Sequence, residues 1–196
     1  MREFWISVRM TIVLTVLLGI IYPVVMTVIG HVFFAHQADG SLVERNSTVV
    51  GSELIGQSFA SNKYFHSRPS AAGNNGYDPT SSSGTNLGPT NKALIDAVSK
   101  RVKDTSEAEG VPASQVPIDL VTSSGSGLDP DISPAAADIQ VQRVAKARGL
   151  NADTVRQLVQ ENTHGRWLGL FGEPGVNVLK LNLALDAAHE NISSSK

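Results

Sequence analysis

The sequence predicts a single N-terminal transmembrane α-helix followed by one α+β extracytoplasmic domain, and three observations predict it. From Met10 to Ala38 there is no Asp, Glu, Lys or Arg. The chain beyond this stretch is of ordinary single-domain size, large enough to bury roughly two thirds of its unfolded surface. Within that remainder, strand-like runs near both ends enclose segments of helical period, the pattern of an α+β domain. No internal repeat of 20 to 50 residues competes with this organisation.

The stretch Met10–Phe34, MTIVLTVLLGIIYPVVMTVIGHVFF, gives about 25 residues where a bilayer core needs ~20. It is apolar on every face, unlike the one-sided stripe of a helix on a soluble core. A cleaved secretory signal has an apolar region of only ~7–15 residues, and the exit sequence FFAHQADG lacks a small-x-small cleavage site. Arg2 and Arg9 precede the span and only Arg45 follows closely, so the positive-inside rule places residues 1–9 in the cytoplasm and 35–196 outside it, with 10–34 as the span. Thr11, Thr15, Gly19, Pro23 and Thr27 recur at every fourth position. Such a row of small or weakly polar residues lets a neighbouring helix approach closely in lipid. Pro23 is expected to remove a backbone hydrogen bond and kink the span, and His31 to reach the outer interface. One span encloses no conduction path, so any transport needs partner chains.

Behind the anchor, Ser41–Phe59 carries short β-branched or aliphatic runs broken by Gly51 and Gly56, which predicts a hairpin or two short strands. Ser61–Pro89 is dense in Gly, Ser, Asn and Pro, the residues of turns, and nearly 30 residues is long for a loop. Tyr64, Phe65, Tyr77 and Leu87 give it apolar anchors, so it is expected to be ordered. Thr90 is then read as the N-cap of an amphipathic helix presenting Leu94, Ile95, Val98 and Val102 and ending at Gly110. Ser133-Pro134 opens a helix with Ala137, Val141, Val144 and Ala145 on its inner face and Gly149 as its stop. Asn151 caps a third helix, with Asp153 in its first turn and Val155, Leu158 and Val159 inward, ending by Gly165. Ile118–Val121 and Val176–Leu185 are read as strands.

With 16 Lys+Arg against 18 Asp+Glu among 196 residues, the formal charge is −2, which argues against a nucleic-acid partner. The chain has no cysteine, excluding disulfides, thiolate metal sites and thiol nucleophiles. No Walker A motif is present, and TSSGSGL at 122–128 lacks the phosphate-binding lysine. The five histidines form no H-x-x-x-H pair, which leaves no zinc pattern. Ser123 or Ser126 with His66 or His164 and Asp119 or Asp129 could be drawn as a hydrolase triad, but no G-x-S-x-G elbow supports it. Three loop segments combine a backbone punctuator with a charge, Arg68-Pro69-Ser70, Ser123–Asp131, and Gly165-Arg166 with Gly172-Glu173-Pro174; with Asn86, their residues Arg68, Ser123, Ser126, Asp129, Arg166 and Glu173 read as turn chemistry or as an interface to a partner protein. The N-x-[ST] triplets at Asn46 and Asn191 are read as coincidental.

Five segments carry a resemblance: GSELIGQSF at 51–59, YFHSRPSA at 64–71, NLGPTN at 86–91, DLVTSSGSGLDPDISPAAADIQVQRVAKARGL at 119–150, and GRWLGLFGEPGVNVLKLNLALD at 165–186. In this order they resemble the C subunit of the bacterial high-affinity potassium-transporting (Kdp) P-type ATPase, over nearly the whole chain. Departures are small: SSSGTN at 81–86 has one glycine where the family tends to have two, Asp131 stands where a histidine is usual, and Gly175 where an arginine is usual. The resemblance implies a single-pass subunit of the bacterial inner membrane with no cofactor of its own. Its implied partners are a pore-forming potassium-channel-like subunit, a P-type catalytic subunit and a small accessory membrane peptide, the complex handling ATP, Mg2+ and K+. It also implies an association with ATP and chaperone-like help in catalysis, although family topology puts the soluble domain outside the cytoplasm, beyond reach of ATP on the catalytic subunit. The expectation is a non-catalytic subunit that assembles and stabilises the complex; the alternative is a membrane-tethered extracytoplasmic sensor or ligand-binding domain.

Overall fold

The structure is a computed structural model and describes residues 1–194. It divides into two compact units, Met1–Ser52 and a second beginning at Glu53. The first unit opens with α1 (Arg2–Val16), a π-helical turn (Leu17–Ile21) and α2 (Tyr22–Phe33), one continuous helical run of 32 residues. At 1.5 Å per residue it extends about 48 Å, beyond the ~30 Å of a bilayer core. None of its side chains is buried. A proline lacks the N–H that position i gives to i−4, and the turn before Pro23 answers by widening: the Tyr22 N–H reaches Leu17 O, five residues back. A short helix, α3 (Ala35–Ala38), follows. Then β1 (Leu42–Arg45) pairs antiparallel with β2 (Thr48–Ser52), with a bulge at Val43/Glu44. The hairpin expected for this region therefore forms, on a two-residue turn in which Asn46 and Ser47 both have positive φ, 52° and 61°.

The second unit packs helices on a small antiparallel sheet. Residues 53–91 hold no helix or strand. Next come α4 (Lys92–Glu109), β3 (Asp131–Ile132), α5 (Pro134–Arg148), α6 (Ala152–Glu161), β4 (Thr163–His164), β5 (Gly175–Asn177) and α7 (Val178–Ser194). The sheet order is β3-β5-β4. Local chemistry sets the helix ends: Ser133 Oγ accepts from Ala136 N at 3.0 Å and Asn151 Oδ1 from Asp153 N at 2.8 Å. Gly149, at φ 66°, closes α5 in the left-handed conformation. Ala137, Val141, Val144 and Ala145 face inward as their spacing predicts, and with Phe65, Ile132, Val155, Val176, Leu181 and Leu185 they form the core. Each large side chain there contributes about 1.5–3 kcal/mol.

Three expectations are corrected. The cap of α4 is Asn91, whose Oδ1 accepts from Ala93 N at 2.9 Å, not Thr90. Ile118–Val121 is not a strand: residues 118–120 form a 3-10 turn, with Leu120 N on Pro117 O and Val121 N on Ile118 O. Pro117 orients that turn, and the Asp119 carboxylate accepts from Ser133 N and Oγ at the start of α5, so residue 119 serves a helix end and no ladder. Val176–Leu185 is a strand only as far as Asn177. The Asn177 Oδ1 accepts from Lys180 N at 3.1 Å and caps α7, after which Val178, Leu181 and Leu185 are buried at helical spacing.

Candidate functional site

The irregular segment between residues 53 and 91 is ordered by distant side chains. Asn182, 1% exposed, receives Phe65 N on its Oδ1 at 2.8 Å and donates from Nδ2 to Phe65 O at 3.0 Å. A side-chain amide thus pairs both backbone groups of Phe65 as a neighbouring strand would. Gln140, equally buried, treats His66 the same way: His66 N donates to its Oε1 at 2.7 Å and its Nε2 reaches His66 O at 3.3 Å. Arg143 bonds Glu109 Oε1 at 2.8 Å, Asn62 O at 2.9 Å, Tyr64 O at 3.0 Å and Gln140 Oε1 at 2.7 Å. Arg148 donates to Lys63 O at 2.6 Å and Asp186 Oδ1 at 2.8 Å, and its guanidinium lies 4.8 Å from the Tyr64 ring centre. Phe65, fully buried, is the apolar anchor expected of this loop.

That scaffold presents a polar seam between residues 67–84 and the turn 122–131. Arg68 Nη1 meets Asp129 Oδ2 at 2.8 Å, each side chain about a quarter exposed. Ser70 Oγ donates to Gly127 O at 2.6 Å and accepts from Tyr77 N at 2.7 Å, while the Tyr77 hydroxyl donates to Arg68 O. Ser82 Oγ bonds Ser126 O at 3.0 Å, and Ser126 Oγ accepts from Leu128 N at 3.1 Å. Gly127 is required here: its φ is 68°, and a Cβ would stand 2.5 Å from Ser83 O and 2.8 Å from Ala72 N.

A second feature projects from the loop between β4 and β5. Arg166 Nη2 grips both Glu173 oxygens at 2.9 and 2.8 Å. Across this neck Trp167 pairs with Phe171 in an antiparallel bridge, with ring centres 5.8 Å apart, and Leu168 and Gly169 turn with positive φ. Trp167, Leu168, Leu170 and Phe171 are 60–77% exposed. Single exposed apolar residues are ordinary, but four in one tip form a patch of the kind that marks an interaction site.

The structure brings some of the sequence-selected residues together. Arg68, Asp129 and Glu173 line one cleft of about 470 Å³, with Arg166 held on Glu173 at its edge. Ser126 belongs to the seam; Ser123 lies half-buried beside it. Asn86 is exposed with φ 53°, outside that bonded set. The triad drawn from sequence is dispersed: Asp119 serves Ser133, Asp129 pairs with Arg68, the His66 ring faces Ser61 O, and His164 Nε2 lies 3.0 Å from Asp131 Oδ2. Among the described residues no group of three or more His, Cys, Asp or Glu gathers as a metal would require. On the helical span, Thr11, Thr15, Gly19, Pro23 and Thr27 are all exposed, and Thr27 Oγ1 donates to Pro23 O at 2.8 Å. The π turn rotates less per residue than the helix around it, which offsets part of the drift of a four-residue stripe. Gln140, Arg143, Arg148 and Asn182 were not singled out from sequence. The spacing Ala136, Gln140, Val144, one residue per turn on the buried face of α5, is the signal that could have found Gln140.

Burial, then the charge of Arg143, holds the His66 imidazole below its ordinary value, with the Ser61 carbonyl opposing. Burial raises the Glu109 carboxyl, against the charge and hydrogen bond of Arg143. For His66 the unfolded chain takes up its proton first, so the stability it confers is complete above pH 6.5 and is lost as pH falls toward the lowered folded value. Glu109 acts oppositely, conferring stability in acid that is lost as pH rises through its raised folded value. As pH falls from 7 to 5.5, the His66 contribution measured by urea unfolding of the detergent-solubilised chain is expected to decline, and the difference from His66→Gln to shrink with it. The same pH dependence in both proteins would remove the His66 contribution.

The family model described as KdpC: K+-transporting ATPase, c chain, matches residues 4–187. The chain is 54% identical over 189 residues to the potassium-transporting ATPase KdpC subunit of Acidobacterium capsulatum, covering 96% of this chain and 100% of that protein. It is 56% identical over 177 residues to the same-named subunit of Burkholderia orbicola, covering 90% and 92%, and 52% identical over 181 residues to that of Koribacter versatilis, covering 92% of each.

Proposed function

The chain belongs to the KdpC family, the c chains of K+-transporting ATPases, and from that membership we propose that it acts by binding its partner subunits and holding them together. It is a non-catalytic accessory subunit of the potassium import complex. Its apolar helical run, long enough to cross a membrane, anchors it in the bacterial inner membrane with residues 1–9 in the cytoplasm and 35–196 outside. Thr11, Thr15, Gly19, Pro23 and Thr27 seat a partner helix. The domain covers the extracytoplasmic face of the pore-forming subunit, while that subunit and the P-type catalytic subunit handle K+, ATP and Mg2+.

The observation that carries this reading is the tip Trp167–Phe171, four large apolar side chains held open to solvent on a neck closed by Arg166 and Glu173. The Trp167–Phe171 bridge and the paired rings give the tip a defined shape before contact, which lowers the ordering cost of docking. Its occupant is an apolar recess on the extracytoplasmic face of the pore-forming subunit. Burying two leucines contributes about 3–6 kcal/mol, so Leu168→Asp with Leu170→Asp is expected to cut recovery of the co-expressed complex at least tenfold. Both side chains are more than 70% exposed, and the unfolding midpoint of the chain alone is expected to stay unchanged. Normal recovery with normal potassium-stimulated ATP hydrolysis would overturn the assignment of the tip.

A further inference from the structure

A polar atom buried without a partner loses water and gains nothing in exchange, at a cost of about 1–3 kcal/mol. Among the described residues three buried side-chain atoms find no hydrogen-bond partner: Arg68 Nε, Glu109 Oε2 and Asp131 Oδ1. The first two belong to residues that line a second cleft, of about 440 Å³, between α4 and the loop carrying residues 66–77. Glu109, the last residue of α4, is the most enclosed of the three, its side chain 4% exposed. Pro69 and Leu120 add apolar wall to the cleft, and Asn75 and Thr105 add an amide and a hydroxyl. The volume falls within the ~300–1,000 Å³ of small-molecule sites and exceeds the ~30 Å³ share of one water many times over.

The charges around this cleft are already answered. Glu109 Oε1 accepts from Arg143 Nε at 2.8 Å, and Arg68 Nη1 donates to Asp129 Oδ2 at 2.8 Å. Asp104, the remaining carboxylate of the cleft, meets Lys100 at 2.6 Å. The His66 imidazole, held below its ordinary value by burial, adds no charge at pH 7. Neither a cation nor an anion would find an unpaired charge here. What two of these ion pairs still lack is one hydrogen bond each, to an acceptor on Glu109 and from a donor on Arg68. Hydroxyl groups supply both, since each gives one proton and accepts others. We propose that the cleft binds a small neutral polyhydroxyl compound, a sugar or polyol, whose hydroxyls donate to Glu109 Oε2 and accept from Arg68 Nε. Pro69 and Leu120 suit the C–H faces that such a compound also carries. The site does not depend on the assembly reading, because none of its lining residues belongs to the Trp167–Phe171 tip or to the helical span.

The test is saturation-transfer NMR on the full chain in lipid nanodiscs free of sugar-headed detergent. Myo-inositol, D-glucose and trehalose are offered separately, with L-alanine, a zwitterion, as the contrast. At least one of the three polyhydroxyl compounds is expected to bind at millimolar concentration, and L-alanine is not. On saturation with that compound the Arg68 Nε–H resonance, assigned through Arg68→Lys, is expected to move. Thr105→Trp sets an indole into the cleft from α4 and is expected to weaken binding roughly tenfold or more, with the unfolding midpoint unchanged. Should that variant fail to fold, Asn75→Trp, at an exposed loop position of the same cleft, gives the same reading. Absence of binding by all three compounds overturns the proposal. Binding that survives the tryptophan variants, or that leaves the Arg68 resonance unmoved, overturns it too, since the contact then lies elsewhere. A chain that prefers L-alanine refutes the neutral ligand class and the proposal with it.

Discussion

Replacing Asn182 by leucine should cost the domain about 3 kcal/mol, a large share of the 5–15 kcal/mol by which a domain is stable. The side chain is 1% exposed and pairs both backbone groups of Phe65. Leucine fills similar space but leaves a buried N–H and a buried C=O without partners, each about 1–3 kcal/mol; the apolar gain of the new side chain offsets part of that. Urea unfolding of the full chain in detergent reads the effect, with Asn182→Asp as an informative second variant. Aspartate keeps an acceptor for Phe65 N at 2.8 Å and turns the donor facing Phe65 O into another acceptor. It should therefore be no better than leucine. An unfolding midpoint within error of wild type for Asn182→Leu would show that the Phe65 backbone finds other partners and that the paired amide does not order the loop.

Arg148→Met is expected to be worse, at about 3–5 kcal/mol, because it strips one member from a buried ion pair. The Arg148 and Asp186 side chains are 5% and 18% exposed. The guanidinium supplies three separate things: charge to Asp186, a donor to Lys63 O, and a planar cation 4.8 Å from Tyr64. Methionine keeps much of the aliphatic stem and none of these. Arg148→Lys keeps the charge but not the planar fork, so it should recover only part of the loss. The same unfolding measurement applies, and a lysine variant as stable as wild type would reduce the role of Arg148 to its charge alone.

What the sequence revealed about this fold divides by distance along the chain. The ends of α5 are written within four residues at each side, Ser133-Pro134 and Gly149, and the structure has them there. VNVLKLNLAL at 176–185 satisfied both an alternating and a helical period, and the residue that decides between them is Asn177, whose side chain caps the helix. Asn182 read as an interruption of an apolar run because its partner, Phe65, is 117 residues away. The candidate site behaves likewise. Arg166 and Glu173 stand seven residues apart around a turn, and their pairing was close to legible. Arg68 and Asp129 were both selected, but only the fold shows that they meet across 61 residues. Gln140 stands in the buried row Ala136, Gln140, Val144 of α5, so its inward placement had a local signal, but the loop backbone groups that it and Arg143 serve lie more than 70 residues away.

The ordering of residues 62–66 by Gln140, Arg143, Arg148 and Asn182 has a consequence for how the molecule is born. A ribosome delivers the chain from its amino end, so the segment around Phe65 emerges with none of its partners yet made, and the last of them arrives only with α7. Until then the Phe65 amide and carbonyl have only water to bond to, and the seam above them has an incomplete foundation. Maturation of this face is therefore a late event that waits for α7. A nascent chain has no finished surface to offer here until α7 has been made and packed.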